Sequence, residues 1–103
     1  MNDVNVKVLV IDDERPIRRF LRASLSGRGY SIDEAENGAD GLRAATQGLP
    51  DIIILDLGLP DMDGTEVTRR LREWTKTPII ILSVRNREED KIAALDAGAD
   101  DYL

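Results

Sequence analysis

The chain has 103 residues, a formal net charge of −6 and neither cysteine nor histidine. This length is sufficient for one domain with a buried core. Without those two residue types the chain cannot provide disulfides, thiolate or imidazole metal ligands, cysteine or Ser–His nucleophiles, or a phosphorylated histidine. The excess of acids argues against nucleic-acid binding by this domain, because phosphate contacts require a clustered basic surface.

The sequence does not predict a membrane segment or a secretion signal. Its longest uninterrupted aliphatic runs, VLVI and twice IIIL, have four residues, which is too short to span a bilayer. No charged and apolar leader precedes the first of these runs. We therefore expect a cytoplasmic protein with no membrane partner.

Short apolar segments alternate along the chain with segments that have the periodicity of a helix. The predicted strands are VKVLVI (6–11), YSIDEA (30–35), DIIILD (51–56), TPIIILS (77–83) and DDYL (100–103). The predicted helices are RPIRRFLRASLSG (15–27), NGADGLRAATQG (37–48), GTEVTRRLREW (64–74) and REEDKIAALDAG (87–98). Single helices between successive strands indicate βαβ units and a parallel sheet with right-handed crossovers.

The apolar pattern also predicts which surfaces are covered. The first, third and fourth strands are continuously apolar, which is typical of strands covered on both faces. The second strand alternates between apolar and polar residues, which is typical of an edge. The first helix has one predicted buried face, whose residues recur at intervals of three and four. That face contains Ile17, Phe20, Leu21, Ser24 and Leu25.

Placing the second strand at one edge of the sheet and the fifth at the other gives the strand order 2-1-3-4-5. This is a doubly wound α/β fold with a flavodoxin-like strand order. In this topology the first and third strands are neighbours, and ligands bind outside their carboxyl ends, where the winding of the chain reverses. The fold class therefore predicts the place of a binding site.

Three carboxylates follow the two neighbouring strands at that place. Asp12 and Asp13 follow the first strand in VIDDE, and Asp56 ends the third strand in IIILD. Like charges at short range raise one another's pKa unless a cation joins them. Oxygen ligands without nitrogen or sulfur favour a hard cation, of which Mg²⁺ is the usual one. We therefore expect these three acids to form a magnesium site.

The acids of this region also have a structural interpretation. Asp12 or Asp13 could cap the first helix. Asp61 and Asp63 lie in a segment with proline and glycine, and we interpret them as turn residues. Ser83 ends the fourth strand, next to the third, so its hydroxyl can donate to an anion in the same crevice.

Four motifs, in order along the chain, make a family resemblance specific. They are the acid pair after the first strand, LDLGLPDMDG after the third, a serine after the fourth and AGADDY at the start of the fifth. Together they resemble the receiver domain of two-component response regulators, with its CheY-like fold, over essentially the whole chain. The segments RPIRRFLR, LDLGLPD and KIAALDAGADDYL are most similar to the OmpR/PhoB subfamily of transcriptional regulators.

The resemblance implies a role for each matching residue at the acidic site. Asp56 would be the phosphoacceptor, whose carboxylate attacks phosphorus to form an acyl phosphate. Asp13, Asp56 and the backbone carbonyl of Gly58 would bind Mg²⁺. Asp12 would act mainly through metal-bound water.

The resemblance also implies a switch and a phosphodonor. Ser83 would hydrogen-bond a phosphoryl oxygen, and its movement would draw Tyr102 inward. The donor would be a sensor histidine kinase or a small acyl phosphate, because the chain contains no histidine. The domain would be a signalling phosphoacceptor rather than an enzyme, with at most self-phosphorylation and autodephosphorylation.

The family pattern continues beyond DDYL with a lysine and a fifth helix. We therefore expect residues 1–103 to be a receiver domain shortened at its carboxyl end, with reduced phosphorylation, since that lysine pairs with the phosphoryl group. A DNA-binding winged-helix domain is expected after residue 103. Subfamily members form homodimers through the fourth helix, fifth strand and fifth helix. Lys91, Asp96 and Asp101 match that face, but without the fifth helix the dimer is not expected to form.

Three alternatives remain. DMDGT (61–65) matches a motif of haloacid-dehalogenase-like phosphatases, in which Asp61 would be the nucleophile and Asp63 the acid/base. Its placement disfavours this enzyme, because a short loop separates Asp61 from the third strand. A flavodoxin would need a phosphate loop rich in hydroxyls and glycines after the first strand, and the sequence has none there. A degenerate receiver that acts only as an interaction module is the third alternative.

Overall fold

The computed structural model describes residues 5–85 and 87–103. Within them the chain forms five strands: β1 (Lys7–Ile11), β2 (Ser31–Ala35), β3 (Ile52–Leu55), β4 (Ile79–Ile81) and β5 (Asp101–Tyr102). The helices are α1 (Arg15–Ser26), α2 (Gly38–Gly48), α3 (Gly64–Arg72) and α4 (Glu88–Asp96). Each predicted element is present, with ends that differ by a few residues from the prediction. None of these helices is long and apolar enough to cross a membrane.

The five strands form one parallel sheet in the order β2-β1-β3-β4-β5. The predicted strand order and doubly wound fold class are therefore confirmed. β2 lies at one edge of the sheet, as its alternating sequence indicates, and β5 lies at the other. The carboxyl ends of β1 and β3 are adjacent in the middle of the sheet.

Most of the core lies between one face of the sheet and the helices α2, α3 and α4. Successive side chains of a strand point to opposite faces, so alternate residues of the central strands are buried on this side. They are Leu9, Ile11, Ile53, Leu55, Ile79 and Ile81. The helices contribute Ala45, Val67, Leu71 and Ala94.

Within the described residues, the opposite face of the sheet packs against α1 alone. Val8, Val10 and Ile32 are buried there against Leu21 and Leu25 of α1. One helix is about 10 Å wide and neighbouring strands lie about 4.8 Å apart. A single helix therefore covers about two of the five strands.

This face is covered less than the sequence predicts. Ile52 and Ile54 of β3 and Ile80 of β4 are only half-buried. Phe20, which the periodicity places on the buried face of α1, is 67% exposed. The prediction that β3 and β4 are covered on both faces is confirmed in part: one face of each strand is buried, and the other is half-buried, with Ile52 and Ile54 packed against the cluster under α1. A continuously apolar strand shows that both of its faces are apolar, but it does not show which element covers them.

A buried arginine fixes α1 to the sheet. Arg18 donates from Nη1 to the backbone oxygen of Asp12 at 2.8 Å, and from Nε to Glu34 Oε1 at 3.0 Å. Arg22, one turn later, also pairs with Glu34. These bonds hold the amino-terminal half of α1 at the carboxyl ends of β1 and β2.

The β3–α3 loop passes so close to the end of β3 that residue 64 has no room for a side chain. A Cβ on Gly64 would lie 2.4 Å from the carbonyl oxygen of Asp56 and 2.7 Å from Cα of Leu57. The Gly64 amide donates to the Leu57 carbonyl at 2.9 Å. The first turn of α3 therefore packs directly on the backbone that carries Asp56.

We expect Gly64→Ala to lower the free energy of unfolding by about 1–3 kcal/mol, because it inserts a methyl group into filled space. Urea denaturation measures this change. Gly27→Ala is the matched control, since a Cβ there meets no atom closer than 3.4 Å and the residue has a helical φ of −62°. Equal stability of the two variants would contradict the close packing at Gly64.

Candidate functional site

The carboxylates of Asp12, Asp13 and Asp56 converge at the carboxyl end of the sheet. One carboxylate oxygen of each lies within 4.8 Å of the others. Asp12 is buried, Asp56 is half-buried and Asp13 is exposed. The structure therefore brings together the three acids that the sequence places at this point.

The backbone of the sheet holds two of these acids in position. Ile11 and Leu55 are paired at the carboxyl ends of β1 and β3. The ladder continues one residue further, because the Asp56 amide donates to the Ile11 carbonyl at 2.9 Å and the Asp12 amide donates to the Ala35 carbonyl at 3.0 Å. Asp12 and Asp56 cannot separate without breaking hydrogen bonds of the sheet.

Burial raises the pKa of the Asp12 carboxyl to about 6, and the neighbouring carboxylates add to the increase. A hydrogen bond of 2.8 Å from the Glu14 amide to Asp12 Oδ1 acts in the opposite direction. Glu14 also occupies the N-cap position of α1, so neither Asp12 nor Asp13 is the cap residue. The ionised Asp12 is destabilised where it lies, and a nearby cation would relieve that.

The donor set fits a hard divalent cation. Carboxylate oxygens from one or two side chains, together with several waters, are the usual surroundings of Mg²⁺ in proteins. Gly58 lies beside them, because a Cβ on it would be 3.8 Å from Asp56 Oδ2. Across residues 5–85 and 87–103, Asp12, Asp13 and Asp56 are the one group of three acids whose oxygens converge in this way.

Ser83 reaches the same site from the β4–α4 loop. A cavity of about 280 Å³ has Asp12, Asp56 and Ser83 among its polar lining residues. Its apolar side is formed by Ile17, Phe20, Leu21, Leu82 and Val84. The half-buried Asp56 and Ser83 therefore border one space beside α1.

Tyr102 of β5 contacts the β4–α4 loop directly. Its hydroxyl donates to the backbone oxygen of Arg85, and burial raises the pKa of Tyr102. The Arg85 amide in turn donates to Ser83 Oγ at 3.2 Å. The two predicted switch residues, Ser83 and Tyr102, are therefore joined through the backbone of Arg85.

Sequence reasoning missed Arg85 and Arg18. The guanidinium of Arg85 pairs with Asp63 across two loops, with Nη2 and Oδ2 3.0 Å apart. The only signal for Arg85 is a basic residue two positions after Ser83. For Arg18 it is a basic residue beside the apolar positions of α1. Neither signal indicates which residues the guanidinium group of a long side chain contacts.

Asp61 and Asp63 have structural roles, as predicted for turn residues. The Asp61 carboxylate accepts from the amides of Gly38 and Ala39, at 2.7 and 2.9 Å, at the amino end of α2. These bonds lower the pKa of Asp61. Asp63 is the N-cap of α3 and accepts from the Thr65 amide at 2.8 Å.

The residues predicted for a dimer face lie on α4 and β5. Asp96 and Asp101 are exposed, and Lys91 is half-buried. The ammonium nitrogen of Lys91 lies 5.9 Å from the centroid of the Tyr102 ring. Their participation in a dimer stays a prediction.

The fold and the acidic site together define a signalling domain. Residues 8–103 match the response regulator receiver domain, and the chain belongs to that family. The predicted family resemblance is therefore confirmed. A receiver domain serves signalling rather than enzymatic turnover, and receiver domains of response regulators pair with histidine kinases.

Individual relatives agree with this assignment. The chain is 59% identical to the KDP operon transcriptional regulatory protein KdpE of Escherichia coli, over 93% of this chain and 43% of that protein. It is 56% identical to the transcriptional regulatory protein KdpE of Mycobacterium tuberculosis, over 93% of this chain and 42% of that protein. The chain therefore spans less than half the length of these curated relatives. The likeness to KdpE is the one that RPIRRFLR, LDLGLPD and KIAALDAGADDYL indicate.

A solved structure has the same fold. The crystal structure of a two-component response regulator from Clostridium difficile superposes with a TM-score of 0.94 at 31% identity. The match covers 96% of this chain and 82% of that chain. The CheY-like strand order is therefore shared with an experimental receiver structure.

We expect Asp12→Asn to stabilise the fold when no divalent cation is present. The Asp12 pKa of about 6 exceeds its ordinary value of 3.8, so the folded state binds a proton that the unfolded state has lost. The wild type therefore loses stability as pH rises from about 4 through about 6, and the variant does not. Urea unfolding in a chelator should show a gain of roughly 1–3 kcal/mol at pH 8, with little gain at pH 4.

The control for this measurement is Asp96→Asn, which removes an exposed carboxylate of α4. It should show no gain that depends on pH in this range. An Asp12→Asn protein less stable than the wild type at pH 8 would show that the ionised carboxylate is not destabilised where it lies.

Proposed function

We propose that this receiver domain accepts a phosphoryl group on Asp56 and reports its presence to an output domain. The observation that supports this most directly is the convergence of Asp12, Asp13 and Asp56 within 4.8 Å. Phosphoryl transfer depends mainly on positioning and on neutralising charge. A nucleophilic carboxylate held beside two further carboxylates that can bind a cation suits both requirements.

The proposed reaction is an in-line displacement at phosphorus. An oxygen of Asp56 forms the new P–O bond of an acyl phosphate while the bond from phosphorus to the donor breaks. That bond is P–N in a phosphorylated histidine and P–O in a small acyl phosphate. A sensor histidine kinase is the proposed donor, because these 103 residues contain no histidine. Self-phosphorylation from small acyl phosphates and autodephosphorylation are the only catalytic activities we propose.

Asp13, Asp56 and the backbone carbonyl of Gly58 are the proposed ligands of Mg²⁺, and Asp12 would act mainly through metal-bound water. When bound, Mg²⁺ supplies positive charge that offsets the carboxylates and the phosphoryl oxygens. Asp12 then stays ionised although it is buried. The short loop after β3 keeps Gly58 next to the Asp56 carboxylate.

Ser83 is the proposed hydrogen-bond donor to a phosphoryl oxygen on Asp56. Ser83 and Tyr102 both contact the backbone of Arg85. A movement of Ser83 toward the phosphoryl group therefore also moves the acceptor of the Tyr102 hydroxyl. A phosphoryl group that contacts Ser83 in one loop arrangement only provides the free-energy difference that a population shift requires.

The proposed output is control of transcription, in a cytoplasmic protein of the OmpR/PhoB type. Both KdpE relatives are named transcriptional regulators and are more than twice as long as the matched region. A winged-helix domain after residue 103 is the proposed DNA-binding part. Lys91, Asp96 and Asp101 are proposed as half of a homodimer face that a fifth helix completes.

Intact-mass spectrometry after incubation with Mg²⁺ and acetyl phosphate tests the phosphoacceptor. The protein should gain one phosphoryl group, and Asp56→Asn should gain none, because the nucleophilic oxygen is lost. The experiment uses residues 1–103 and a version extended through the lysine and fifth helix of the family pattern. We expect the extended version to react faster, since the lysine pairs with the phosphoryl group.

Each outcome of this experiment has a defined meaning. Equal rates in the two versions would show that the lysine is not needed for the reaction. A phosphoryl group that persists in Asp56→Asn would place the acceptor elsewhere. No mass gain in either wild-type version would identify a degenerate receiver and overturn the proposed function.

The phosphatase alternative makes a different prediction for Asp61. The Asp61 carboxylate already accepts two backbone hydrogen bonds from α2. Asp61→Asn should therefore lower the free energy of unfolding slightly, because one of the two acceptor oxygens at the amino end of α2 is lost, without preventing phosphoryl transfer to Asp56. Hydrolysis of p-nitrophenyl phosphate should show no sustained turnover. Turnover that Asp61→Asn abolishes and Asp56→Asn preserves would revive the phosphatase.

A further inference from the structure

Arg85 contacts three parts of the site at once. Its backbone amide donates to Ser83 Oγ at 3.2 Å, and its carbonyl accepts from the Tyr102 hydroxyl. Its side chain crosses to the β3–α3 loop, where Nη2 lies 3.0 Å from Asp63 Oδ2. One residue thus connects the hydroxyls of both switch residues to the loop that follows Asp56.

The Asp63 end of this ion pair is fixed. Its other oxygen, Oδ1, accepts from the Thr65 amide at 2.8 Å and caps α3. The backbone of Asp63 also forms an antiparallel bridge with Gly58. Burial raises the pKa of Asp63, but the bonds from Thr65 and Arg85 outweigh it and leave the pKa below its ordinary value. The carboxylate is therefore ionised at neutral pH and has little freedom to move.

The Arg85 end is more enclosed than an ordinary surface pair. The side chain of Arg85 is 35% exposed, and its Nε is buried without a hydrogen-bond partner among the described residues. Loss of Asp63 would leave still more of a partly buried guanidinium unpaired, which is costly. Asp63 is the one acid that pairs with this guanidinium among the described residues.

We propose that Arg85 is a positioning residue for phosphoryl acceptance, and that Asp63 anchors it. The inference rests on the proposed function and adds a pair of positioning residues to the same site. With the Arg85 amide donating to one lone pair of the Ser83 oxygen, the Ser83 proton is left to donate in another direction. That direction includes the cavity that Ser83 shares with Asp56. Anchoring Arg85 thus prepares Ser83 as a donor before the phosphoryl group arrives.

The pair adds little to global stability, because ion pairs that are partly exposed to solvent contribute little to the free energy of unfolding. We therefore expect the Asp63–Arg85 pair to affect the rate of phosphoryl transfer. The rate of phosphoryl gain from acetyl phosphate is measured with Mg²⁺, by intact mass, in whichever of the two versions above accepts the group. The variants are Arg85→Gln, Asp63→Asn and the double substitution. Asp63→Asn retains an oxygen to cap α3.

We expect each single substitution to lower the maximal rate constant about two- to fivefold, without changing the acetyl phosphate concentration that gives half of that rate. The double variant should be no slower than either single variant, because both remove the same pair. In a Ser83→Ala background, Arg85→Gln should have no further effect. Arg85→Lys should recover most of the rate, since it restores the charge.

Arg43→Gln is the matched control, because it removes a similar pair with Asp40 on α2 and should leave the rate unchanged. Thermal melting of each variant separates a loss of rate from a loss of fold. Single effects that multiply in the double variant, or an Arg85→Gln effect that persists without Ser83, would overturn the inference. If the wild type accepts no phosphoryl group, the proposed function itself fails. If it does and Arg85 has no influence, only the inference fails.

Discussion

The hydrogen-bonded ladder between β1 and β3 is the constraint on which the site depends. It fixes the Asp56 amide to the Ile11 carbonyl and so keeps the carboxylates of Asp12 and Asp56 together against their repulsion. The strands that impose this arrangement are anchored by fully buried side chains, including Ile53 and Leu55. Folding thus maintains a buried carboxylate with two others beside it, and the pKa of Asp12 is raised mainly by that burial and further by the neighbouring charges. The same repulsion favours whatever cation or positive group reaches the site.

The two faces of the sheet contribute differently to this arrangement. The face toward α2, α3 and α4 is a closely packed core of buried side chains. The face toward α1 is half-covered, and the cavity beside Asp56 and Ser83 opens along it. Arg18 keeps α1 in place there through polar bonds to Asp12 and Glu34, where apolar packing alone would be sparse. The face toward α2, α3 and α4 provides the packed core, and the face toward α1 provides the cavity that leads to Asp56.

Sequence reasoning recovered the parts of the molecule that depend on local pattern and topology. Strand order followed from which strands alternate, and the convergence of Asp12, Asp13 and Asp56 followed from that order. It failed where a long side chain reaches another loop, as Arg85 does to Asp63, because spacing along the chain does not encode that contact. It predicted the burial of β3 and β4 in part, since one face of each is buried and the other is half-buried. The apolar composition of a strand shows that burial of its faces is favourable. Whether a face is buried depends on which helices pack against it.

Arg85 lies in a loop, and loops can transmit a local change at the site more readily than the packed core can. A core at crystal-like density does not deform gradually, so on the proposed function a phosphoryl group on Asp56 would have little effect through Ile53 or Leu55. The loops after β3 and β4 are not bound by the ladder in the same way, and they meet at the Asp63–Arg85 pair. On the proposed function, a rearrangement of Ser83 would reach β5 through the backbone of Arg85, which contacts both Ser83 and Tyr102. The response at Tyr102 would then depend on the few polar contacts of these loops.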